Sequence, residues 1–285
     1  MPRKIIKLWL ILLLVTVVGC KSNPTPADSL IEVTETPDNT DTDTSVTNPP
    51  SHLLLPIIEN NTGKVLIQNI NGNTQYPNNG YMITSINGHR LIIDPSFMPS
   101  KRLIDFNPSA IISTHSHSDH YDQLFNSYYD CPKILWSIET LEIDDFKIFT
   151  ILSSHNDDNL NETYPSNILV VVEVDGLRIA HMGDIGQTSL TDEQLDLLGE
   201  IDIAFMQYEN KFSRMTLENE KGFNLFEQFS PKIGIPTHYT EDTIPVLIDK
   251  YGELIEFENY FTISKDELPQ TSLNIYRLIN NHKYF

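Results

Sequence analysis

The sequence predicts a layered α/β fold, and three observations predict it. From Lys64 onward, short apolar runs alternate with turn signals at strand-like spacing. The dipeptides Asn87-Gly88 and Asp175-Gly176 stand between paired runs, where such pairs favour tight hairpins. A few segments carry apolar residues at helical spacing, so helices are interleaved with the strands.

The strand-like runs are Val65–Ile70, Tyr81–Ile86, Arg90–Asp94, Ala110–Thr114, Phe146–Leu152, Ile168–Val174, Leu177–His181, Ile201–Met206, Lys232–Ile235 and Leu273–Leu278. The helical segments are Thr191–Leu198, Phe223–Phe229 and Thr243–Lys250. Thr191 is a good capping residue, and Glu193 and Asp196 sit near that helix start, where acids complement the helix dipole. The second strand of each hairpin ends in an acid, Asp94 and Asp184, a faint echo that suggests two similar layered units. In such folds, chemistry is expected on the loops that follow strands.

Composition narrows the function. Lys and Arg total 19 against 39 Asp and Glu, a formal net charge of −20. An acidic surface repels phosphate backbones, so no nucleic-acid partner is expected. A small anionic substrate remains compatible, because a bound metal reverses the local field. Cys20 and Cys131 are the two cysteines. With Cys20 modified as described next, no disulfide can form within the chain, and Cys131 is expected to be a buried bystander.

The first twenty residues have the three parts of an export signal: basic Arg3, Lys4 and Lys7, an apolar run from Leu8 to Val18, and Val17-Val18-Gly19-Cys20. The last four resemble the lipobox of bacterial lipoproteins. That resemblance implies a signal peptide over residues 1–20, acylation of Cys20, and export to the outer face of a bacterial envelope membrane. Residues 21–52 are rich in Thr, Asp, Asn, Pro and Ser and have no apolar period, so a disordered tether is expected. Residues 53–285 then form one domain of roughly 230 residues, enough for a sizeable core.

The decisive segment is Ile111-Ile-Ser-Thr-His115-Ser-His117-Ser-Asp119-His120. A strand runs into a loop that presents three imidazoles and a carboxylate. His115 and His117 are two apart, so on extended backbone they point the same way and can share one ion. Asp119 and His120 come where the chain must turn, facing a second ion nearby.

His-x-His-x-Asp-His after an apolar strand resembles the signature of the metallo-beta-lactamase superfamily. Further stretches match its pattern in order: His155 in Ser-Ser-His155-Asn, Asp184 in His181-Met-Gly-Asp184-Ile-Gly, and His238 in Ile-Pro-Thr-His238-Tyr. The resemblance implies a four-layer αββα sandwich. It implies that His115, His117 and His155 hold one divalent ion, that Asp119, His120 and His238 hold another, and that Asp184 bridges them. Asp94 would support the metal loop. Zinc is the first expectation for the two ions, with manganese or iron compatible with the same donors. The implied activity is hydrolysis of an ester, lactone, amide or phosphodiester bond in a small molecule. A hydroxide between the ions would attack, and Asp119 would orient the water or pass a proton to the leaving group. The alternative is a non-catalytic metal-binding surface lipoprotein.

The Gly-Asp-x-Gly turn, the Thr-Asp-Glu-Gln-Leu helix start and the Ile-Pro-x-His-Tyr ending resemble the ascorbate-6-phosphate lactonase-like branch. That branch often continues with Pro and a Gly-rich turn after the strand ending at Met206. Here the chain reads Gln207-Tyr208-Glu209-Asn210-Lys211, so the substrate is expected to differ. Tyr208, Lys211 and Tyr239 are candidates for substrate contact by position. His181 is expected to support the site without binding metal. His52, His89 and His282 fall outside every motif and read as surface residues.

Overall fold

The computed structural model describes residues 58–71, 78–96, 106–270 and 273–279. The export segment, Cys20, the tether, His52 and His282 lie outside the described residues. Among the described residues no helix is long and apolar enough to cross a membrane.

The central strands of both sheets are buried on both faces, so each face must be covered. One six-stranded sheet contains β1 (Val65–Asn69), β2 (Tyr81–Thr84), β3 (Arg90–Ile93), β4 (Ala110–Ser113), β5 (Lys133–Leu135) and β13 (Tyr260–Ile263), in the order β13-β1-β2-β3-β4-β5. An eight-stranded sheet contains β6 (Thr140–Ile143), β7 (Phe146–Ser153), β8 (Asn167–Val174), β9 (Leu177–His181), β10 (Ile203–Met206), β11 (Ile233–Pro236), β12 (Leu254–Phe257) and β14 (Asn274–Leu278). Its order is β12-β14-β11-β10-β9-β8-β7-β6.

Side chains alternate across each strand, and the alternation builds three apolar layers. Ile83, Leu91, Ile93 and Ile112 from the first sheet meet Ile148, Val170, Ile179, Phe205 and Ile235 from the second, forming the central core. Met82, Ile92 and Ile111 face the other way and are covered by Phe106 and by Phe125 of α1 (Gln123–Tyr128). Leu169, Val171, Ala180, Ala204 and Met206 face outward from the second sheet. They are covered by α2 (Asp192–Leu198), α3 (Lys221–Phe229) and α4 (Thr243–Tyr251) through Leu198, Phe223, Phe226 and Leu247. The result is the expected αββα sandwich. Removing a ring such as Phe226 would cost about 3–5 kcal/mol by the usual cavity penalty.

Strand direction positions the site. β3, β4 and β5 pair parallel, as do β9, β10, β11, β14 and β12. β7 runs with β9, since both are antiparallel to β8. The segments that follow β3, β4, β7, β9, β10 and β11 carry Asp94, the His115–His120 loop, His155, Asp184, Asn210 and His238.

Both hairpins form as expected: Gly88 has φ +89°, and Asp175 and Gly176 have φ +48° and +81°, the left-handed pair that a tight turn requires. The helix expected at Thr191 has a full capping box, with Gln194 answering Thr191. β10 starts at Ile203, two residues later than the apolar run suggests. The reason is Asp202, buried in the lead-in and held by Lys232, Lys265 and the Arg178 amide. Three strands, β6, β12 and β13, fall outside the expected runs. Each is four residues long, and β6 is exposed or half-buried throughout.

His89 is exposed, as expected, and its Nδ1 lies 2.7 Å from Asp145 Oδ2. Asp145 raises the imidazole above its ordinary 6.5. Hydrogen bonds from Ser85 and His89 lower Asp145 below its ordinary 3.8, against a smaller opposing effect of burial. The imidazole's contribution is fully present below 6.5 and lost as pH rises through its raised value. The carboxylate's contribution is present above 3.8 and lost as pH falls through its lowered value. The pair should therefore add most to stability between those two ordinary values. Following the His89 ring signals by NMR against pH should show an elevated midpoint that returns to the ordinary range in Asp145→Asn.

Candidate metal centre

The loop after β4 is held from below by Asp94. Its Oδ1 accepts from the Thr114 amide at 2.7 Å, and its Oδ2 accepts from Thr114 Oγ1 at 2.8 Å. Oδ2 also lies 2.7 Å from His120 Nδ1. Asp94 is fully buried and adopts φ +52°, a left-handed conformation that Asp tolerates better than most residues.

The Asp184 turn depends on glycine at both ends. Gly183 has φ +55°, and a Cβ there would lie 2.3 Å from Asn167 Oδ1, the atom that accepts from the Asp184 amide. A Cβ on Gly186 would lie 1.8 Å from the His155 carbonyl oxygen. Small residues let the strand ends approach and bring His155 beside Asp184.

The seven residues singled out in the sequence converge. His115, His117, His155 and Asp184 form one cluster, and Asp119, His120, Asp184 and His238 form a second, with donor atoms within 4.8 Å of one another in each. Asp184 belongs to both. Its Oδ1 is 3.2 Å from the Nε2 atoms of His120 and of His238. Its Oδ2 is 3.4 Å from His155 Nε2 and 3.7 Å from His115 Nε2. His115, His120, His155, His238 and Asp184 are buried; His117 is exposed and Asp119 half-buried, so the centre opens on that side.

Hydrogen bonds set the ring tautomers. The Thr114 hydroxyl gives its proton to Asp94 and so accepts from His115 Nδ1, 3.1 Å away. His155 Nδ1 lies 3.1 Å from Asn156 Oδ1, and His120 Nδ1 faces Asp94. With Nδ1 donating, His115 and His155 each turn a bare Nε2 towards Asp184. His115 Nε2 and His155 Nε2 are buried without a hydrogen-bond partner. Unpartnered lone pairs in a buried cluster fit a cation, which would satisfy all of them at once.

The electrostatics point the same way. Burial and the neighbouring His120 hold His115 well below its ordinary range, against the pull of Asp184. For His120 burial also opposes charge, but Asp184 and Asp94 together outweigh it and raise the ring well above 6.5. Burial opposes charge on Asp184 too, yet His238 and His120 lower it well below 3.8. The acids thus prepare a place for positive charge.

His181 sits beside the site without joining either cluster. Its Nδ1 accepts from the Gly183 amide at 3.1 Å, its ring stacks on Phe205 at 5.2 Å, and burial lowers it to about 4.

Two substrate-contact expectations require correction. Tyr208 is fully buried, its ring 5.0 Å from Phe223 and 5.9 Å from Phe226, so it belongs to the core under α3. Tyr239 is half-buried, with its hydroxyl accepting from Arg277 Nε at 3.0 Å, and is committed to that pair. Lys211 is exposed, with Nζ 5.0 Å from the Phe212 ring. Cys131 is only half-buried, and burial raises its thiol, which keeps it protonated.

Other residues reach the centre unannounced. Asn210 Nδ2 donates to Asp184 Oδ2 at 2.6 Å and to Gln207 Oε1 at 2.8 Å, so the loop after β10 holds the shared carboxylate. Ser213 Oγ donates to the Asp184 carbonyl at 3.0 Å. Phe212 joins His117, Ser118, Asp119 and Asp184 around a cavity of about 260 Å³. Asn79, just before β2, places Nδ2 2.9 Å from His238 Nε2 and 3.1 Å from His120 Nε2. Asn78-Asn79-Gly80 carries no sequence signal beyond that of a turn.

Comparison with known proteins agrees with this geometry. Residues 74–238, more than half of the chain, match the profile of the beta-lactamase superfamily domain. A UPF0173 metal-dependent hydrolase from Staphylococcus carnosus is 25% identical over 196 residues, which cover 56% of this chain and 81% of that protein. The fold is similar to that of a protein from Thermotoga maritima assigned as a Zn-dependent hydrolase of the metallo-beta-lactamase superfamily. The TM-score is 0.54 at 16% identity, covering 76% of this chain and 100% of the other.

Asp94→Ala should leave the Thr114 amide and His120 without their acceptor, at a cost of about 3–5 kcal/mol. Asp94→Asn, which suits the left-handed backbone, should lose less. Urea unfolding of the two variants checks both the size and the order.

Proposed function

The chain belongs to the metallo-beta-lactamase superfamily, and on that premise we propose that it is a hydrolase working with two divalent ions on a small-molecule substrate. The observation that carries this reading is the position of Asp184, which offers one oxygen to each of two histidine clusters. His115, His117 and His155 would hold one ion, Asp119, His120 and His238 the other, and Asp184 both. Zinc suits the imidazole-rich donors best, and manganese or iron is compatible with them. Bound there, the ions would lower the pKa of a shared water and polarise the bond to be cleaved, an ester, lactone, amide or phosphodiester.

The chain's own residues supply the rest. Asp119 lines the cavity and is half-buried, a position from which a carboxylate can orient water or hand a proton to a leaving group. Phe212, 57% exposed at the cavity, offers an apolar wall to the substrate. The acidic surface disfavours a nucleic-acid substrate. The lipobox-like Val17-Val18-Gly19-Cys20 supports export and anchoring through Cys20 on the outer face of a bacterial membrane.

Plasma mass spectrometry of the purified protein should find about two equivalents of zinc, manganese or iron. A chelator should remove them together with hydrolysis of ester, lactone or phosphodiester probes. His117→Ala, altered at an exposed ligand, should stay folded while losing metal and more than about 100-fold in activity. Asp184→Ala should lose both ions. Full activity in either variant would sink the assignment, and two tightly held ions without turnover would favour the metal-binding surface protein.

For the anchor, mass spectrometry of the mature N-terminal peptide should find acyl chains on Cys20, with none in Cys20→Ala. An unmodified Cys20 in membrane-extracted protein would refute lipidation.

A further inference from the structure

Asn79 is 1% exposed and belongs to no motif, yet its carboxamide stands among the donors of the second cluster. Nδ2 lies 2.9 Å from His238 Nε2, 3.1 Å from His120 Nε2 and 3.4 Å from Asp119 Oδ2. The donors themselves show similar spacing: the two Nε2 atoms are 3.1 Å apart, and each is 3.2 Å from Asp184 Oδ1. Atoms that share one ion at about 2.0–2.2 Å stand roughly 3.0–3.5 Å from each other. The end of the carboxamide that faces the cluster therefore stands at the spacing of a further donor atom.

Oxygen and nitrogen of an amide exchange places when the group turns over, and the choice follows from the surroundings. As placed, Oδ1 is buried without a hydrogen-bond partner, so local hydrogen bonding gives it no reason to point away from the cluster. His120 already uses Nδ1 towards Asp94, which leaves the Nε2 lone pair for a cation. An amide NH2 beside that cation would meet like charge, whereas the carbonyl oxygen would be drawn to it.

Resting on the two-ion reading above, the geometry points to Asn79 Oδ1 as a further ligand of the ion held by Asp119, His120, His238 and Asp184. The carboxamide adds a neutral oxygen donor and raises the coordination of that ion above four. It makes the second position more tolerant of manganese or iron than the histidine-rich first position.

The test uses full-length protein stripped of metal and titrated with Zn2+ in a calorimeter, then with Co2+ under visible absorption. Wild type should bind two ions. Asn79→Ala should keep the first and bind the second at least about tenfold more weakly, with the Co2+ spectrum altered for the second equivalent alone. Asn79→Asp, nearly isosteric, exchanges the NH2 for an oxygen and should bind the second ion at least as tightly as wild type. Two outcomes overturn the inference: an Asn79→Ala protein indistinguishable from wild type at both equivalents, or an Asn79→Asp protein weakened as much as Asn79→Ala. The latter would make the amide a hydrogen-bond donor to the histidines. Either result leaves the two-ion reading intact, whereas a wild-type protein that takes up no metal removes both.

Discussion

The imidazole of His120 is gripped on both sides by carboxylates, and the site depends on that grip. Asp94, at the end of the β2–β3 hairpin, lies 2.7 Å from Nδ1. Asp184, just past the β8–β9 hairpin, lies 3.2 Å from Nε2. The two hairpins belong to different sheets. One ring thus ties the two halves of the sandwich at the edge where the parallel strands end. The echo between the hairpins has a physical meaning: each delivers an acid to opposite nitrogens of one side chain.

Such an arrangement is costly without a positive charge. His115, His120 and Asp184 sit within a few ångströms of one another in a buried space, and burial opposes charge on each. At His120 the two acids outweigh burial and raise the ring, and at Asp184 the neighbouring imidazoles outweigh it and lower the carboxyl. The fold fixes the geometry in advance through the Thr114 amide, the glycine-bounded turn and the Asn167 carboxamide. Pre-set donors with bare lone pairs bind a divalent cation without first reorganising, which lowers the cost of binding.

Much of this was legible in the sequence because ligands follow strands and strands follow apolar periodicity. The loop from His115 to His120 announces itself through spacing, and Asp184 through its flanking glycines. The short strands β6 and β12 were not legible. Each is only four residues long and no more than half-buried, so its apolar pattern is brief, although β6 pairs with its hairpin neighbour β7 and β12 with β14. Position after a strand was also a poor guide to Tyr208: it follows β10, but it is drawn under α3 between Phe223 and Phe226. Asn79 was invisible for another reason, since a turn amide and an amide facing two imidazoles look alike until the strands are assembled.

The segment from Gln207 to Ser213 joins two duties that a simpler loop would separate. Asn210 braces the shared carboxylate through one oxygen, and Ser213 holds the same residue by its carbonyl. Between them, Phe212 faces the cavity. A change in the loop that moves Phe212 must also move Asn210, because only Lys211 separates them and Asn210 Oδ1 accepts from the Phe212 amide at 3.0 Å. The shape offered to a substrate and the orientation of the shared acid are therefore mechanically coupled. A loop of this composition ties the cavity wall at Phe212 to the shared carboxylate through two hydrogen bonds on one asparagine.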